Sequence, residues 1–142
     1  QSEVIVEATF QLEKGSRQAL HEAIEHKKQY RRDRQPLEHP NVGSIFKNVP
    51  VERLPKEVLA QFEGKIKQDP FPVLPTAVLI AGAGLKEYGV GGAMISPKHA
   101  NFIVNMGGAT AADVKAVINH VLSVIKQKFN VELEREVIFV GE

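Results

Sequence analysis

The chain has 142 residues, the length of one ordinary domain, and can bury a hydrophobic core without disulfides or metals. Its formal net charge of +1 provides no global field that would attract nucleic acid. The absence of cysteine excludes disulfides, thiol nucleophiles and cysteine metal sites, and no apolar run approaches the length needed to span a bilayer. We therefore expect a soluble globular domain with neither a nucleic-acid partner nor a membrane partner.

The first predicted elements are a strand and a helix. Apolar residues alternate with polar ones from Val4 to Leu12, which is the period-two pattern of a half-buried strand. The dipeptide Gly15-Ser16 then provides a break and an N-cap for a helix that Pro36 stops near Arg34. Because the chain begins with Gln1 and not with Met, and a strand follows so closely, we expect the partners of that strand to lie upstream in a longer protein.

The middle of the chain is predicted to hold a short strand, an insertion and a short helix. The strand covers Ser44 to Lys47. The segment Val51 to Pro75 is rich in proline and contains a charged helical patch from Lys56 to Lys67, so we expect a surface insertion there. Thr76 to Gly84 has the composition of a short apolar helix closed by glycine.

The last third of the chain combines strands with the strongest helix signal. Gly91 to Ser96 and Asn101 to Asn105 are predicted to be neighbouring strands. A helix with a long apolar stripe begins at Thr110, and Asp113 stands where a capping box requires an acceptor. Glu132 to Val140 is predicted to be a final strand. The predicted fold class is therefore α+β, a mostly antiparallel sheet covered by helices.

Three stretches carry the functional signal, and they occur in the order Gly43 to Asn48, Gly91 to Asn105 and Leu133 to Val137. In this order they closely resemble the C-terminal half of the UDP-N-acetylenolpyruvoylglucosamine reductases, the MurB family of peptidoglycan synthesis, over about Arg31 to Gly141. The resemblance implies a cytoplasmic bacterial flavoenzyme with the MurB C-terminal fold. Such an enzyme takes hydride from NADPH onto FAD and passes it to UDP-N-acetylglucosamine enolpyruvate, which yields UDP-N-acetylmuramate.

The resemblance also implies a division of the chain. Residues 1–30 would be a trailing strand and connecting helix from the FAD-binding region, and residues 31–142 the C-terminal substrate-binding domain. The missing FAD-binding domain would be a partner and would bind most of the cofactor. We expect no cofactor-binding residue here, because Gly82-Ala83-Gly84 lacks the third glycine of a dinucleotide motif. We also expect no metal site, because the five histidines lack metal-ligand spacing.

Ser44 is the first expected catalytic residue. On its own, a serine after a glycine either hydrogen-bonds its own backbone in a turn or projects from a strand edge toward a ligand. The resemblance implies that Ser44 protonates the enolpyruvyl carbon of the substrate after hydride delivery. An aliphatic hydroxyl is a poor acid, so this role requires neighbours that stabilise the resulting alkoxide. Lys47 and Asn48 are the nearest such neighbours in sequence.

Glu136 is the second expected catalytic residue. On an alternating strand it shares a face with Glu134, where the polar surface is expected to give way to apolar burial. The resemblance implies that Glu136 stabilises charge that develops on the substrate carboxylate. The alternative is an ordinary surface glutamate paired with a lysine or arginine. The sequence does not decide whether Glu134 or Glu136 faces the ligand.

Four further residues are expected to contact the substrate: Arg34, Asn48, His99 and Asn101. A basic run that ends in Arg34 suits a solvated helix end, and it equally suits a clamp for a diphosphate. Spacing to the glycine-serine motif varies in the family, so Arg31 or Arg32 can take the same part. A hypothesis from another class is a non-catalytic module that binds a nucleotide-sugar or another anion.

Overall fold

The computed structural model describes residues 4–141, so the predicted domain limits at residues 1 and 142 lie outside the described residues. The chain forms two compact units, one up to Asp33 and the other from Arg34 onward. The division into residues 1–30 and 31–142 stays a prediction. Within residues 4–141, no helix is both long enough and apolar enough to cross a membrane.

The helix α1 (Arg17–Arg34) begins and ends where the sequence predicts, and all of it except Arg34 belongs to the first unit. The Ser16 hydroxyl accepts a hydrogen bond of 3.4 Å from the backbone nitrogen of Ala19, so Ser16 satisfies one of the unpaired donors of the first turn. Pro36 follows two residues after the helix and cannot continue it. The local signals at both ends therefore define this helix.

The predicted strand from Val4 to Leu12 is wrong. Residues 4–15 are exposed and have neither helix nor strand. A half-buried strand requires a neighbouring strand that pairs with its backbone and a surface that covers its apolar face. No described residue pairs with this segment, so alternation alone does not produce a strand here.

The described part of the second unit holds six strands: β1 (Asn41–Ser44), β2 (Val49–Pro50), β3 (Val73–Leu74), β4 (Gly89–Val90), β5 (Ala93–Ile95) and β6 (Phe102–Asn105). Four of them form an antiparallel sheet in the order β1-β6-β5-β4, and β2 pairs with β3 in a separate antiparallel ladder. The predicted neighbours, β5 and β6, are directly paired.

Three helices accompany these strands: α2 (Lys56–Phe62), α3 (Thr76–Gly82) and α4 (Ala111–Phe129). The capping box of α4 is present as predicted, because the Thr110 hydroxyl accepts from the Asp113 nitrogen at 3.1 Å and the Asp113 carboxylate accepts from the Thr110 nitrogen at 2.9 Å. The apolar stripe of α4 is buried: Val117, Ile118, Val121, Ile125 and Phe129. The α+β fold class is confirmed.

The strand predicted at Ser44 to Lys47 lies three residues earlier, because Ser44 is the last residue of β1. The side chain of Asn41 fixes the start of β1, where its amide nitrogen donates to the carbonyl of Pro36 at 3.1 Å and its oxygen accepts from Gly43 at 3.0 Å. After Ser44 the chain no longer pairs with β6, and the nitrogen of Ile45 donates to the carbonyl of Asn101 in the loop before β6.

The segment 51–75, predicted to be a surface insertion, is only partly at the surface: residues 67–72 are exposed, but other parts are buried. Leu54, Val58 and Leu74 are buried in the hydrophobic core, and Leu74 has no exposed surface. The predicted helical patch ends early, because α2 stops at Phe62 and a 3-10 turn, Glu63–Lys65, follows it. The prolines of this segment lie between short helices and strands whose apolar side chains pack into the hydrophobic core.

The predicted strand from Glu132 to Val140 is also wrong. In the described structure this segment makes one isolated antiparallel bridge, between Phe46 and Arg135. After Arg135 the segment does not pair further, and Ile138 and Val140 are 87% and 96% exposed. Residues 45–47 can pair with only a few residues of the segment, so no continuous strand forms.

Candidate functional site

The three sequence stretches meet around the backbone of Phe46. On one side, the nitrogen of Lys47 donates to the carbonyl of Glu134 at 2.9 Å, and the nitrogen of Glu136 donates to the carbonyl of Ile45 at 2.8 Å. These two bonds hold the C-terminal segment antiparallel to residues 45–47. They place the first and third stretches side by side, although they are almost 90 residues apart in sequence: the Lys47–Glu134 pair spans 87 positions.

The second stretch contacts the opposite edge of Phe46 through Asn101. The amide oxygen of Asn101 accepts from the Phe46 nitrogen at 3.0 Å, and its amide nitrogen donates to the Phe46 carbonyl at 2.8 Å. The side chain thus makes the pair of bonds that a neighbouring strand would make. Asn101 is 4% exposed. It was predicted as a substrate contact, but the structure gives its amide a part in fixing the backbone that follows Ser44.

A cleft of about 470 Å³ opens beside this junction. The uncharged polar residue in its lining is Asn48. Its charged lining residues are three cations and three carboxylates: Lys47, Arg53, Lys67, Asp69, Glu134 and Glu136. The cleft therefore combines residues from the first and third sequence stretches with residues from segment 51–75.

Asn48 is held at the beginning of α3. Its side-chain oxygen accepts from the Thr76 nitrogen at 3.2 Å, and the Thr76 hydroxyl donates to the Lys47 carbonyl at 2.6 Å. Thr76 is fully buried, whereas Asn48 is exposed and lines the cleft. The helix start thus fixes the backbone on which both Lys47 and Asn48 stand.

Glu134 and Glu136 both line the cleft, but their surroundings differ. Glu134 forms an ion pair with Lys47 and lies 3.8 Å from a guanidinium nitrogen of Arg53. The hydrogen bond and the charge of Lys47 lower the pKa of Glu134. Glu136 makes no ion pair within the described residues. The expectation that Glu136 borders apolar burial is wrong, because Glu136 and Ile138 are both exposed.

Ser44 and His99 are both neighbours of Phe102, and neither lines the cleft. Ser44 stands opposite Phe102 in the β1–β6 register, and the His99 ring packs edge-on against the Phe102 ring at 4.6 Å. Burial lowers the pKa of His99, and its Nδ1 accepts from the Asn101 nitrogen at 3.3 Å. This acceptor position places the proton of the neutral imidazole on Nε2.

The structure therefore gathers some of the predicted site residues and separates others. Asn48 and Glu136 share the cleft, and Asn101 fixes the backbone beside it. Arg34 is exposed at the end of α1 and does not line the cleft formed by the described residues. Sequence reasoning missed Arg53 and Lys67, because they lie in the segment interpreted as an insertion and have no signal beyond their charge.

The fold and the cleft define a small α+β domain whose polar site combines residues 47–73 with the C-terminal segment. The family described as UDP-N-acetylenolpyruvoylglucosamine reductase, C-terminal domain, matches residues 35–140. The chain belongs to this family.

Individual relatives agree with this assignment. The UDP-N-acetylenolpyruvoylglucosamine reductase of Halalkalibacterium halodurans is 40% identical over 139 residues, which cover 98% of this chain and 39% of the relative. That of Lachnoclostridium phytofermentans is 42% identical over 138 residues, covering 97% of this chain and 37% of the relative. The crystal structure of the reductase (MurB) from Thermus caldophilus is similar with a TM-score of 0.59 and 29% identity, over 89% of this chain and 37% of that one. The chain thus spans about two-fifths of the length of these relatives.

Proposed function

We propose that this chain is the C-terminal substrate-binding and catalytic part of a flavin- and NADPH-dependent reductase in the bacterial cytoplasm. The reductase would convert UDP-N-acetylglucosamine enolpyruvate to UDP-N-acetylmuramate for peptidoglycan synthesis. The observation that carries the proposal is the junction at Phe46, which brings Lys47, Asn48 and Glu136 into one cleft. Membership of the reductase family supports the same substrate.

FAD supplies the hydride in this proposal, with NADPH as its source. The sequence Gly82-Ala83-Gly84 does not fit a dinucleotide-binding loop. Gly82 ends α3 and Gly84 follows with a φ of 81°, so this sequence closes a helix and does not connect a strand to a helix N-terminus. We assign the flavin to the FAD-binding domain, which this chain would meet as its partner.

Ser44 is the proposed proton donor. Its place at the end of β1 is fixed on both sides, because it is in register with Phe102 and the backbone two residues later is bonded by Asn101. A fixed backbone limits the conformational freedom that the hydroxyl must lose when it approaches the reacting carbon. Lys47, three residues away, is the proposed source of positive charge that stabilises the alkoxide.

Glu136 is the proposed stabiliser of the charge that develops on the substrate carboxylate. It can do this only as the protonated acid, because an ionised carboxylate has no proton to donate. Glu134 is less suited to the same role, since Lys47 already favours its ionised form. The two glutamates are therefore distinguished by their partners and not by their exposure.

Arg34, Asn48 and His99 are the proposed substrate contacts. A guanidinium binds phosphate oxygens in a bidentate manner, which suits Arg34 to the diphosphate. Asn48 offers an amide from within the cleft, and His99 offers an Nε2–H donor on a ring that packs against Phe102. Asn101 contributes by holding the backbone.

The experiment is a turnover assay on the protein that contains this chain together with its FAD-binding domain. We expect NADPH oxidation that depends on UDP-N-acetylglucosamine enolpyruvate, with UDP-N-acetylmuramate detected by mass spectrometry. Omitting the enolpyruvyl substrate is the control. If flavin is bound and reducible and the nucleotide-sugar binds in calorimetry, yet no product forms, the non-catalytic binding module is the better description.

A further inference from the structure

Among the described residues, three polar side chains are buried, those of Thr76, Ser96 and Asn101. Each of them hydrogen-bonds to backbone in or beside the predicted site. Asn101 bonds to the backbone of Phe46, and the Ser96 hydroxyl accepts from the nitrogen of His99 at 3.3 Å. Buried polar groups are stable only when they are paired, so these contacts fix the backbone that carries the site residues.

Thr76 holds Asn48 at two points. The Thr76 hydroxyl donates to the carbonyl oxygen of Lys47 at 2.6 Å, and this carbonyl belongs to the peptide bond that joins Lys47 to Asn48. The backbone nitrogen of Thr76 donates to the side-chain oxygen of Asn48 at 3.2 Å. The first bond restrains the peptide plane that precedes Asn48, and the second restrains its side chain. One residue therefore orients both parts of a residue that lines the cleft.

The bond from the Thr76 nitrogen also determines which end of the Asn48 amide remains for a ligand. A backbone N–H can only donate, so the amide must meet it with its oxygen. The amide nitrogen of Asn48 has no hydrogen-bond partner among the described residues. It carries two N–H donors. A ligand atom that bonds to this nitrogen must therefore be an acceptor, such as a carbonyl, carboxylate or phosphate oxygen.

The surroundings of Thr76 make these two bonds durable. Thr76 is 0% exposed, so water does not compete for its hydroxyl. Thr76 is also the first residue of α3, and Pro75 before it makes no side-chain capping bond. The first N–H of a helix has no partner within the helix, so the Asn48 oxygen satisfies a donor that would otherwise be unpaired. An ordered side chain loses less conformational freedom when a ligand binds.

We propose that Thr76 is a positioning residue for substrate binding, because it orients Asn48 so that the N–H donors of the amide meet an acceptor oxygen of the substrate. Thr76 does not line the cleft, so it acts through Asn48 and does not touch the ligand. The part of this inference that makes Asn48 a substrate contact rests on the proposed function. The orientation of Asn48 by Thr76 rests on the two hydrogen bonds alone.

The test compares variants of the protein that contains this chain together with its FAD-binding domain. Thr76→Val removes the hydroxyl and keeps the backbone N–H. We expect calorimetry with UDP-N-acetylglucosamine enolpyruvate to show a Kd about threefold to tenfold higher, with kcat at saturating substrate within about threefold of the parent. Thr76→Ser keeps the hydroxyl and should restore the parental Kd to within about twofold.

A double-mutant cycle separates positioning from a general structural role. In an Asn48→Ala background, Thr76→Val should change the Kd by less than about twofold, because the residue through which Thr76 acts is already absent. The structural control is Ile125→Val, which shortens a fully buried side chain of α4 that does not line the cleft. It should lower the melting temperature and leave the Kd unchanged.

A second measurement needs no ligand. In protein labelled with ¹⁵N at asparagine, the order parameter of the Asn48 side-chain amide should fall in Thr76→Val and be retained in Thr76→Ser; Asn48→Ala assigns the signal. An unchanged order parameter in Thr76→Val would overturn the proposal, and so would an equal change in Kd with and without Asn48. If the order parameter falls but the parent protein neither binds nor reduces the enolpyruvyl substrate, Thr76 still orients Asn48 and the reductase function is rejected.

Discussion

Replacing Asn101 by alanine removes both hydrogen bonds that tie its side chain to the backbone of Phe46, at 3.0 and 2.8 Å. Phe46 is 2% exposed and Asn101 4% exposed, so water cannot readily replace the lost partner. An unpaired buried donor or acceptor costs about 1–3 kcal/mol. The substitution leaves two backbone groups of Phe46 unpaired, so the cost in stability is about 2–6 kcal/mol. This cost is reduced because the polar amide of Asn101 no longer has to be buried. We expect Asn101→Ala to lower the free energy of unfolding by about 2–4 kcal/mol.

The assay is equilibrium unfolding in urea followed by circular dichroism. The matched control is Asn119→Ala, at an exposed position in α4, which should change stability by no more than about 0.5 kcal/mol and in the stabilising direction, because alanine is the better helix former. A loss below about 1 kcal/mol for Asn101→Ala, with an unchanged urea dependence, would contradict this prediction. It would mean that the Phe46 backbone is satisfied without the amide.

Two further predictions concern the region around α4. Hydrogen bonds from Thr110 lower the pKa of Asp113, so its stabilisation is present above the ordinary value of 3.8 and is lost as the pH falls through the lower, folded-state pKa. Asp113→Asn should therefore flatten the fall in melting temperature below about pH 4, and an unchanged acid limb would contradict this. In Gly92→Ala the new Cβ would collide with the Gly107 carbonyl oxygen, so unfolding measurements should show a loss of about 2 kcal/mol or more. Gly64→Ala, with nothing within 4 Å, should cost far less, and equal losses would count against the steric argument.

The elements that sequence predicts well are those with local signals. The helix α1 has Ser16 at its start and Pro36 after its end, and α4 has the capping box of Thr110 and Asp113. Each signal acts within a few residues of the element that it defines. The pairing of β5 with β6 is similarly local, since six residues separate them.

The wrong predictions depend on partners that lie far away in sequence. Alternation predicts strands at Val4 to Leu12 and Glu132 to Val140, but a strand also needs a neighbour that pattern alone does not reveal. Prolines suggest a surface insertion in segment 51–75, yet the pairing of β2 with β3 buries Leu74. Solvent exposure of a segment is thus a property of its partners as well as of its composition.

The candidate site shows the same division. The resemblance to the reductases points to Asn48 and Glu136, and the structure places both in one cleft. The contribution of Asn101 depends on a hydrogen-bonded contact over 55 positions, and that of Arg53 on the approach of the C-terminal segment. Sequence spacing contains neither contact, so neither was predictable from it.

The proposed proton transfer from Ser44 is tested most directly by the turnover number of the full-length protein with Ser44→Ala. We expect a fall in kcat of about 10²–10⁴-fold, typical of a lost general acid, with flavin reduction by NADPH and the Kd of the enolpyruvyl substrate unchanged. Ser123→Ala, at an exposed position in α4, is the control and should leave kcat unchanged. If Ser44→Ala keeps kcat within about threefold of the parent, Ser44 is not the proton donor.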